Sequence, residues 1–370
     1  MIRIHVIQAR FGDCFLLEYG EEANPSFMLV DGGPSRNYEQ QLKPALTALL
    51  KDHTHIDDVV ISHVDNDHIV GVLDFLTELQ QQKDKGGKPY LSIGQVWFNS
   101  FSKTIGNADI QERMTKVNKV AAVNGLKMQE MSMALNGIKE GGRVLQRTTN
   151  LCIDVNKDAP NGFFLASKDS KPISRPNIDI TVIGPTAVNL DKLRIEWEEW
   201  IKKNEQHIAA GKYTKDVAAA LDRSVPNLSS IVMLIKADGK TILLTGDCRS
   251  DHLQQGLIET GLSADGRYHV DVLKVPHHGS RRNTRKSFFE EVTADAYIIS
   301  ADGTYDNPDE ETLDWIVEAA QTAGRKVKLI FTNETASTTA LLQKYSPGSY
   351  DIQFLGKNEN YMTYTLAPAL

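Results

Sequence analysis

Within ISHVDNDHIVG, His63, Asp65, Asp67 and His68 crowd into six residues directly behind an apolar run. Imidazole and carboxylate groups at that density suit a metal site, because a strand end fixes the backbone and the turn beyond it converges the side chains. A solvated polar turn is the competing reading, but two His interleaved with two Asp make an unusual turn. LLTGDC brings Asp247 behind a Gly at the end of a second apolar run. A carboxylate there can bridge two metal ions or cap a following helix. DVLKVPHHGS repeats the arrangement: an apolar run, a Pro stop, then His277 and His278 beside Gly279. GSRRNTRK follows at once, setting Ser280, Arg281, Arg282, Arg285 and Lys286 beside that turn. Guanidinium forks suit phosphate oxygens, although a charged run is often plain solvated surface.

These residues need strands ending beneath them. Residues 2–19 and 27–30 read as strands separated by a GEEANPS turn, 38–52 as a helix with a stripe of Leu42, Ala45, Leu46, Leu49 and Leu50, and 58–61 as a short buried strand running into His63. A polar loop then carries the ligand-type residues, with a helix at 73–82 and a strand at 95–99 after it. Residues 109–133 read as helical, and a Gly, Asn and Lys-rich stretch to about 175 has no clean period. A strand at 179–183 precedes a charged helix at 190–207 around Trp197 and Trp200, which reads as a surface insertion. The pattern is regular again after Ser229: strands at 231–236, 241–245, 270–275, 296–300 and 327–331, helices at 249–260 and 310–323, and a terminal hairpin of 351–355 with 361–366. Strands alternating with helices in two stretches imply two packed sheets flanked by helices.

Composition excludes several classes. With 41% apolar and 24% charged residues the chain is neither a coiled coil nor wholly disordered. Apolar runs such as SIVMLI are far too short to span a bilayer, and the N-terminus lacks a basic start followed by an apolar block, so no membrane association and a cytoplasmic location are expected. A net charge of −7 argues against non-specific coating of nucleic acid while leaving room for a local basic patch. Cys14, Cys152 and Cys248 lack CxxC spacing and are expected to be small buried residues.

The three ligand-rich segments in this order, with FGDCFLLEY and FMLVDGG ahead of them and NLSSIVMLI before LLTGD, resemble the metallo-β-lactamase fold superfamily. More closely, they resemble soluble relatives of the hydrolase domain of ComEC-type DNA-uptake proteins. The resemblance covers most of the chain outside about 100–178 and 186–223. It implies an α/β chain forming a single domain over 1–370, a four-layered αββα sandwich with helical insertions in those two stretches and a metal site at strand ends between the sheets. Carried over by position, His63 and Asp65 hold one metal, Asp67 and His68 the second, and Asp247 bridges them. His278 completes the second site, and His277 is a further ligand or a substrate-facing acid, an assignment the sequence leaves open between the two. The commoner motif of the superfamily has His where this chain has Asp65, as in the ComEC-like branch. With no third His, the first ion is expected to bind weakly or not at all. Where that branch carries a His before Pro, TYDNP supplies Asn307, which can orient a substrate but cannot move a proton.

Two divalent ions about 3.5–4 Å apart would lower the pKa of a shared water to around 7, so the attack needs no protein nucleophile. Three carboxylates among the ligands tilt the choice towards Mn²⁺ without excluding Zn²⁺. Asp13 and Asp31, at strand ends, are expected to hydrogen-bond ligands from outside. Asp67 and His277 are the expected catalytic groups, with Ser280, Arg281, Arg282 and Asn307 as substrate contacts. The expected activity is metal-dependent hydrolysis of a phosphodiester, nucleic acid included, with a companion protein possible. The alternatives are a small ester, lactone or thioester hydrolase, which predicts a narrow apolar pocket, and a metal-binding partner protein with little turnover.

Overall fold

The computed structural model describes residues 2–100, 133–192, 194–195, 198–199, 202, 229–346 and 348–366. The first sheet contains β1 (Ile2–Ile7), β2 (Phe15–Glu21), β3 (Asn24–Val30), β4 (His55–Ile61), β5 (Ser92–Phe98), β6 (Asp154–Val155) and, from the far end of the chain, β15 (Tyr361–Leu366). Its order is β15-β1-β2-β3-β4-β5-β6. The second contains β7 (Ile173–Arg175), β8 (Ile178–Gly184), β9 (Val232–Ala237), β10 (Lys240–Leu244), β11 (Tyr268–Lys274), β12 (Val292–Ile299), β13 (Val327–Phe331) and β14 (Tyr350–Phe354), and these run β14 through β7 in reverse chain order across the sheet.

Strand alternation sorts the apolar side chains into layers. Ile4, Val6, Phe15, Leu17, Met28 and Val60 of the first sheet meet Ile180, Met233, Ile235, Ile242, Val272 and Ile298 of the second in one buried cluster. Opposite-facing residues such as Leu16, Leu29, Val59 and Ile61 pack under α1 (Lys43–Leu50), α2 (Asn66–Asp84) and α3 (Met133–Leu151). On the far side, Leu234, Leu243, Leu273 and Tyr297 pack under α4 (Ser250–Glu259), α5 (Lys286–Glu291), α6 (Glu310–Thr322) and α7 (Ala336–Lys344). Helix, sheet, sheet, helix is the αββα sandwich expected from the resemblance.

Parallel pairing sets the functional edge. β3 and β4 run parallel with Val30 opposite Val60, and β10, β11 and β12 run parallel with Leu243 opposite Leu273 and Lys274 opposite Ile298. The segments that follow β3, β4, β10, β11 and β12 therefore leave the sandwich at one end. α2 is seated against that end at close range: a Cβ on Gly71 would lie 1.9 Å from the Gly32 carbonyl oxygen, so any side chain there would lift the helix off.

Several expected elements are corrected. The polar loop holding Asp67 and His68 is the first turn of α2, which starts at Asn66 rather than 73. The ligand-type residues mask the stripe of Ile69, Val72, Leu73 and Leu76 that drives the helix. The terminal hairpin does not form: β14 pairs in parallel with β13, while β15 pairs antiparallel with β1 in the other sheet. The stretch without a clean period contains α3, where Gly141 sits against the ring of Phe98, so a glycine that reads as a breaker serves helix-to-sheet contact. Cys14 and Cys248 are buried as expected, whereas Cys152 is exposed. Most of the 109–133 helix, and Trp197 and Trp200 of the 190–207 helix, lie outside the described residues. Among the described residues no helix is long and apolar enough to cross a membrane.

Candidate metal centre

The centre gathers on Asp247, three residues beyond β10 and 2% exposed. His68 Nε2 lies 3.4 Å from its Oδ1. His278 Nε2, His277 Nε2 and His63 Nε2 lie 3.5, 3.6 and 3.7 Å from its Oδ2. Asp67 Oδ2 is 3.3 Å from His278 Nε2 and 3.8 Å from His68 Nε2. Asp65 Oδ2 is 3.6 Å from His63 Nε2. Donor atoms of Asp67, His68, Asp247 and His278 all fall within 4.8 Å of one another. All six metal-ligand candidates and His277 are thus brought together, with His277 on the same carboxylate oxygen of Asp247 as His63.

None of these contacts forms a hydrogen bond at the inward Nε2 atoms. They match the edges of a coordination shell, since ligands about 2.1 Å from one ion stand about 3.4 Å apart in a tetrahedron. The inward-facing atoms carry the same message: His63 Nε2, His68 Nε2, His278 Nε2, Asp247 Oδ1 and Asp65 Oδ1 are buried without a hydrogen-bond partner. Burying that many bare polar atoms would be strongly unfavourable unless a cation sat among them. The donor set therefore fits divalent ions.

The outward nitrogens show how the rings are aimed. His68 Nδ1 lies 2.8 Å from Asp31 Oδ2, and His278 Nδ1 donates to the Ser300 carbonyl at 2.9 Å. Each contact places the proton on Nδ1 and leaves Nε2 as the inward lone pair. Asp31 also accepts from the Ser62 backbone N–H at 2.8 Å and its hydroxyl at 2.6 Å, tying β3 to the turn after β4. The expected role of Asp31 is visible in these contacts. Asp13 lies 3.4 Å from His278 Nδ1 and forms an ion pair with Lys274. Lys274 is 1% exposed, donates to the Gly246 carbonyl at 2.9 Å and lies 3.6 Å from Asp247 Oδ1.

Lys274, Ser62 and Ser300 were not singled out from sequence. A lysine inside the apolar run VLKV was the available signal, because a buried strand tolerates an ammonium only beside carboxylates.

Charge dominates the centre: the carboxylates of Asp13, Asp31, Asp65, Asp67 and Asp247 face one ammonium, that of Lys274. Burial alone would push His68 down, yet Asp247, Asp31 and Asp67 raise it well above the usual imidazole range. Against the same burial, Asp247 and Asp13 raise His278. Burial would lift Asp247, but His278, His277 and His68 hold it well below the usual carboxylate value. Asp67, also opposed by burial, is brought to about 2 by His68 and His278. His277 differs, because burial lowers its pKa and Asp247 offsets this only in part, so its ring is neutral at pH 7. Its side chain is 30% exposed, and it is the ring of the group that opens to solvent. A divalent ion at the Nε2 atoms would take the place of the second proton that these carboxylates favour on His68 and His278.

The predicted substrate contacts are dispersed. Ser280 is buried and Asn307 half-buried, and both lie on segments bordering the His277–Gly279 turn. Arg281 is committed to Glu311 and lies 3.6 Å from Asp309. Arg285 donates to Gln254 and Lys286 pairs with Glu318 at 2.8 Å. Arg282 is exposed and, among the described residues, forms no ion pair. α6 therefore pairs two members of the basic run, Arg281 and Lys286, while Arg285 is held by the neutral Gln254 amide of α4.

Comparison with known proteins accords with this architecture. The family model described as "Metallo-beta-lactamase superfamily" matches residues 7–105, which hold the HVDNDH segment. A 96-residue stretch, 25% of this chain, is 31% identical to ComE operon protein 3 of Bacillus subtilis (strain 168) and spans only 12% of that relative's length. Among solved structures the chain is similar to the metallo-beta-lactamase fold protein YhfI from Bacillus subtilis, at 12% identity over 98% of each chain with a TM-score of 0.40. It is also similar to a diphosphatase from the PhnP family, at 10% identity over 100% of each chain and a TM-score of 0.39. Zn(2+)-bound PqqB from Methylobacterium extorquens is similar at 9% identity over 99% of this chain and 100% of the other, with a TM-score of 0.35. The matched N-terminal segment and the two mixed sheets flanked by helices are consistent with a metallo-β-lactamase sandwich fold. That superfamily consists mostly of metal-dependent hydrolases that bind divalent ions such as zinc.

Proposed function

We propose that the chain is a two-metal phosphodiesterase. The observation that carries this is the convergence of unpartnered Nε2 and carboxylate atoms on Asp247. Asp67, His68, Asp247 and His278 would hold one ion. His63 and Asp65, sharing Asp247, would hold the other, with His277 making up the ligand that the sequence left wanting. When bound, Mn²⁺ or Zn²⁺ would supply Lewis acidity and lower the pKa of water. The chain's own groups do the rest. Asp31 and the Ser300 carbonyl fix the tautomers of His68 and His278. Lys274 keeps one face of Asp247 compensated, and neutral, solvent-facing His277 can accept a proton from water or remain a ligand.

The diester reading draws on Arg282, an available guanidinium beside the turn, and on the motif resemblance to ComEC-type DNA-uptake proteins, which favours nucleic acid. A cytoplasmic protein working beside a companion fits the same reading. The test is hydrolysis of bis-p-nitrophenyl phosphate and of labelled single- and double-stranded DNA with Mn²⁺, Zn²⁺ or Mg²⁺. Metal-dependent cleavage by the wild type is expected, with a loss of at least about a thousandfold in the Asp67→Ala/His68→Ala variant. Cleavage of small esters or lactones with no cleavage of any diester would replace this reading.

A further inference from the structure

Tyr305 is the most solvent-exposed of the large hydrophobic side chains among the described residues, at 71%. It stands on left-handed backbone (φ 58°), followed by Asp306 at φ 64°. Two consecutive non-glycine residues in that region are unfavourable by about 1–2 kcal/mol each, and such conformations concentrate at working sites. The ring is held in place: Phe11, from the loop between β1 and β2, meets it edge to face at 5.9 Å between centroids. The Arg10 guanidinium lies over Phe11 at 5.7 Å.

Both loops are anchored to the metal centre. Phe11 stands two residues before Asp13, whose N–H donates to the Asp67 carbonyl at 3.3 Å, and the carbonyl of intervening Gly12 accepts the Ser300 hydroxyl. Tyr305 stands four residues before Asp309, whose N–H donates to the Gly279 carbonyl at 3.1 Å and whose carboxylate accepts the Arg281 N–H at 2.8 Å. An aromatic pair topped by a cation thus bridges the two halves of the sandwich at the rim of the centre. An exposed aromatic face gains little from folding, but it suits a planar ligand group delivered beside the ions.

We propose that Phe11 and Tyr305 form a stacking ledge for a nucleobase, so that the substrates are base-bearing phosphodiesters, with the scissile phosphate at the metals and a neighbouring base on Tyr305. This rests on the phosphodiester reading and specifies its substrate class. The ledge is a specificity element and takes no part in the chemical step.

The experiment compares two diesters under Mn²⁺ or Zn²⁺: a thymidine dinucleotide, and the same sugar-phosphate diester with its bases replaced by hydrogen. The wild type is expected to show a KM about tenfold lower for the base-bearing diester, the size of one stacked base. Tyr305→Ala brings the ratio of the two KM values towards one, with the loss falling on KM rather than kcat, while Tyr305→Phe restores it. Phe11→Ala, which leaves Tyr305 unsupported, lowers the ratio in part. If both diesters are cleaved but the wild type has no base preference, or Tyr305→Ala keeps it, the ledge is wrong and the phosphodiesterase reading stands. If bis-p-nitrophenyl phosphate is cleaved but neither of these diesters is, the ledge is wrong and the phosphodiesterase reading stands; if no diester is cleaved, both fall.

Discussion

At the residue scale, the capacity of the centre to bind metal depends on which nitrogen of each imidazole faces inward. The Asp31 contact fixes that choice for His68, and metal sites lean on such partners for about 10–100-fold in affinity. Asp31→Ala should therefore weaken metal binding by about that factor while every ligand atom remains present, as read by titration against a chelator of known affinity. Unchanged affinity would mean that the ring is aimed by packing alone. The ligand types were legible because His and Asp at strand ends carry their chemistry in their names. The allocation was not: His277 and His278 are adjacent in sequence, and the left-handed backbone at both, φ 47° and 54°, is what sends one ring into the core and leaves the other facing solvent. Lys274 escaped notice for a related reason, since its carboxylate partners lie far from it in sequence.

At the element scale most strands of the second sheet were readable to within a residue or two, because strands buried on both faces give continuous apolar runs, but β12 begins at Val292 rather than 296 and β7 was not expected. The beginning of α2 was not, since its first turn is spent on Asp67 and His68. β15 was placed beside the wrong partner because only the free edge of β1, distant in sequence, decides where it pairs. A second contact invisible to local pattern ties the sheets at their other end. Arg175 of β7 donates to both carboxylate oxygens of Asp58 in β4, at 2.7 and 2.8 Å, and Trp97 and Gln95 complete the shell at 2.9 and 3.0 Å. Asp58→Ala leaves the buried Trp97 N–H without its acceptor, while Arg175 and Gln95 keep Asp158, so it should destabilise the fold by about 1–3 kcal/mol in urea unfolding. A change under about 1 kcal/mol would show that the joining of the two sheets does not depend on this contact.

At the scale of the whole molecule, two half-sandwiches each supply part of a centre that neither could form alone. His63, Asp65, Asp67 and His68 come from the first sheet and its helix, while Asp247, His277 and His278 come from the second. Alternation and the three motifs made that pairing legible, but the sequence gives no local sign of how α3, β6 and β7 extend the sandwich. If Asp247 is shared by two ions, metal content after equilibration with Mn²⁺ or Zn²⁺ and gel filtration will depend on it. Two equivalents per chain are expected for the wild type and at most one for Asp247→Ala in protein shown to be folded by circular dichroism. A folded wild-type chain that retains no metal, or an Asp247→Ala chain that still holds two ions, would contradict the account.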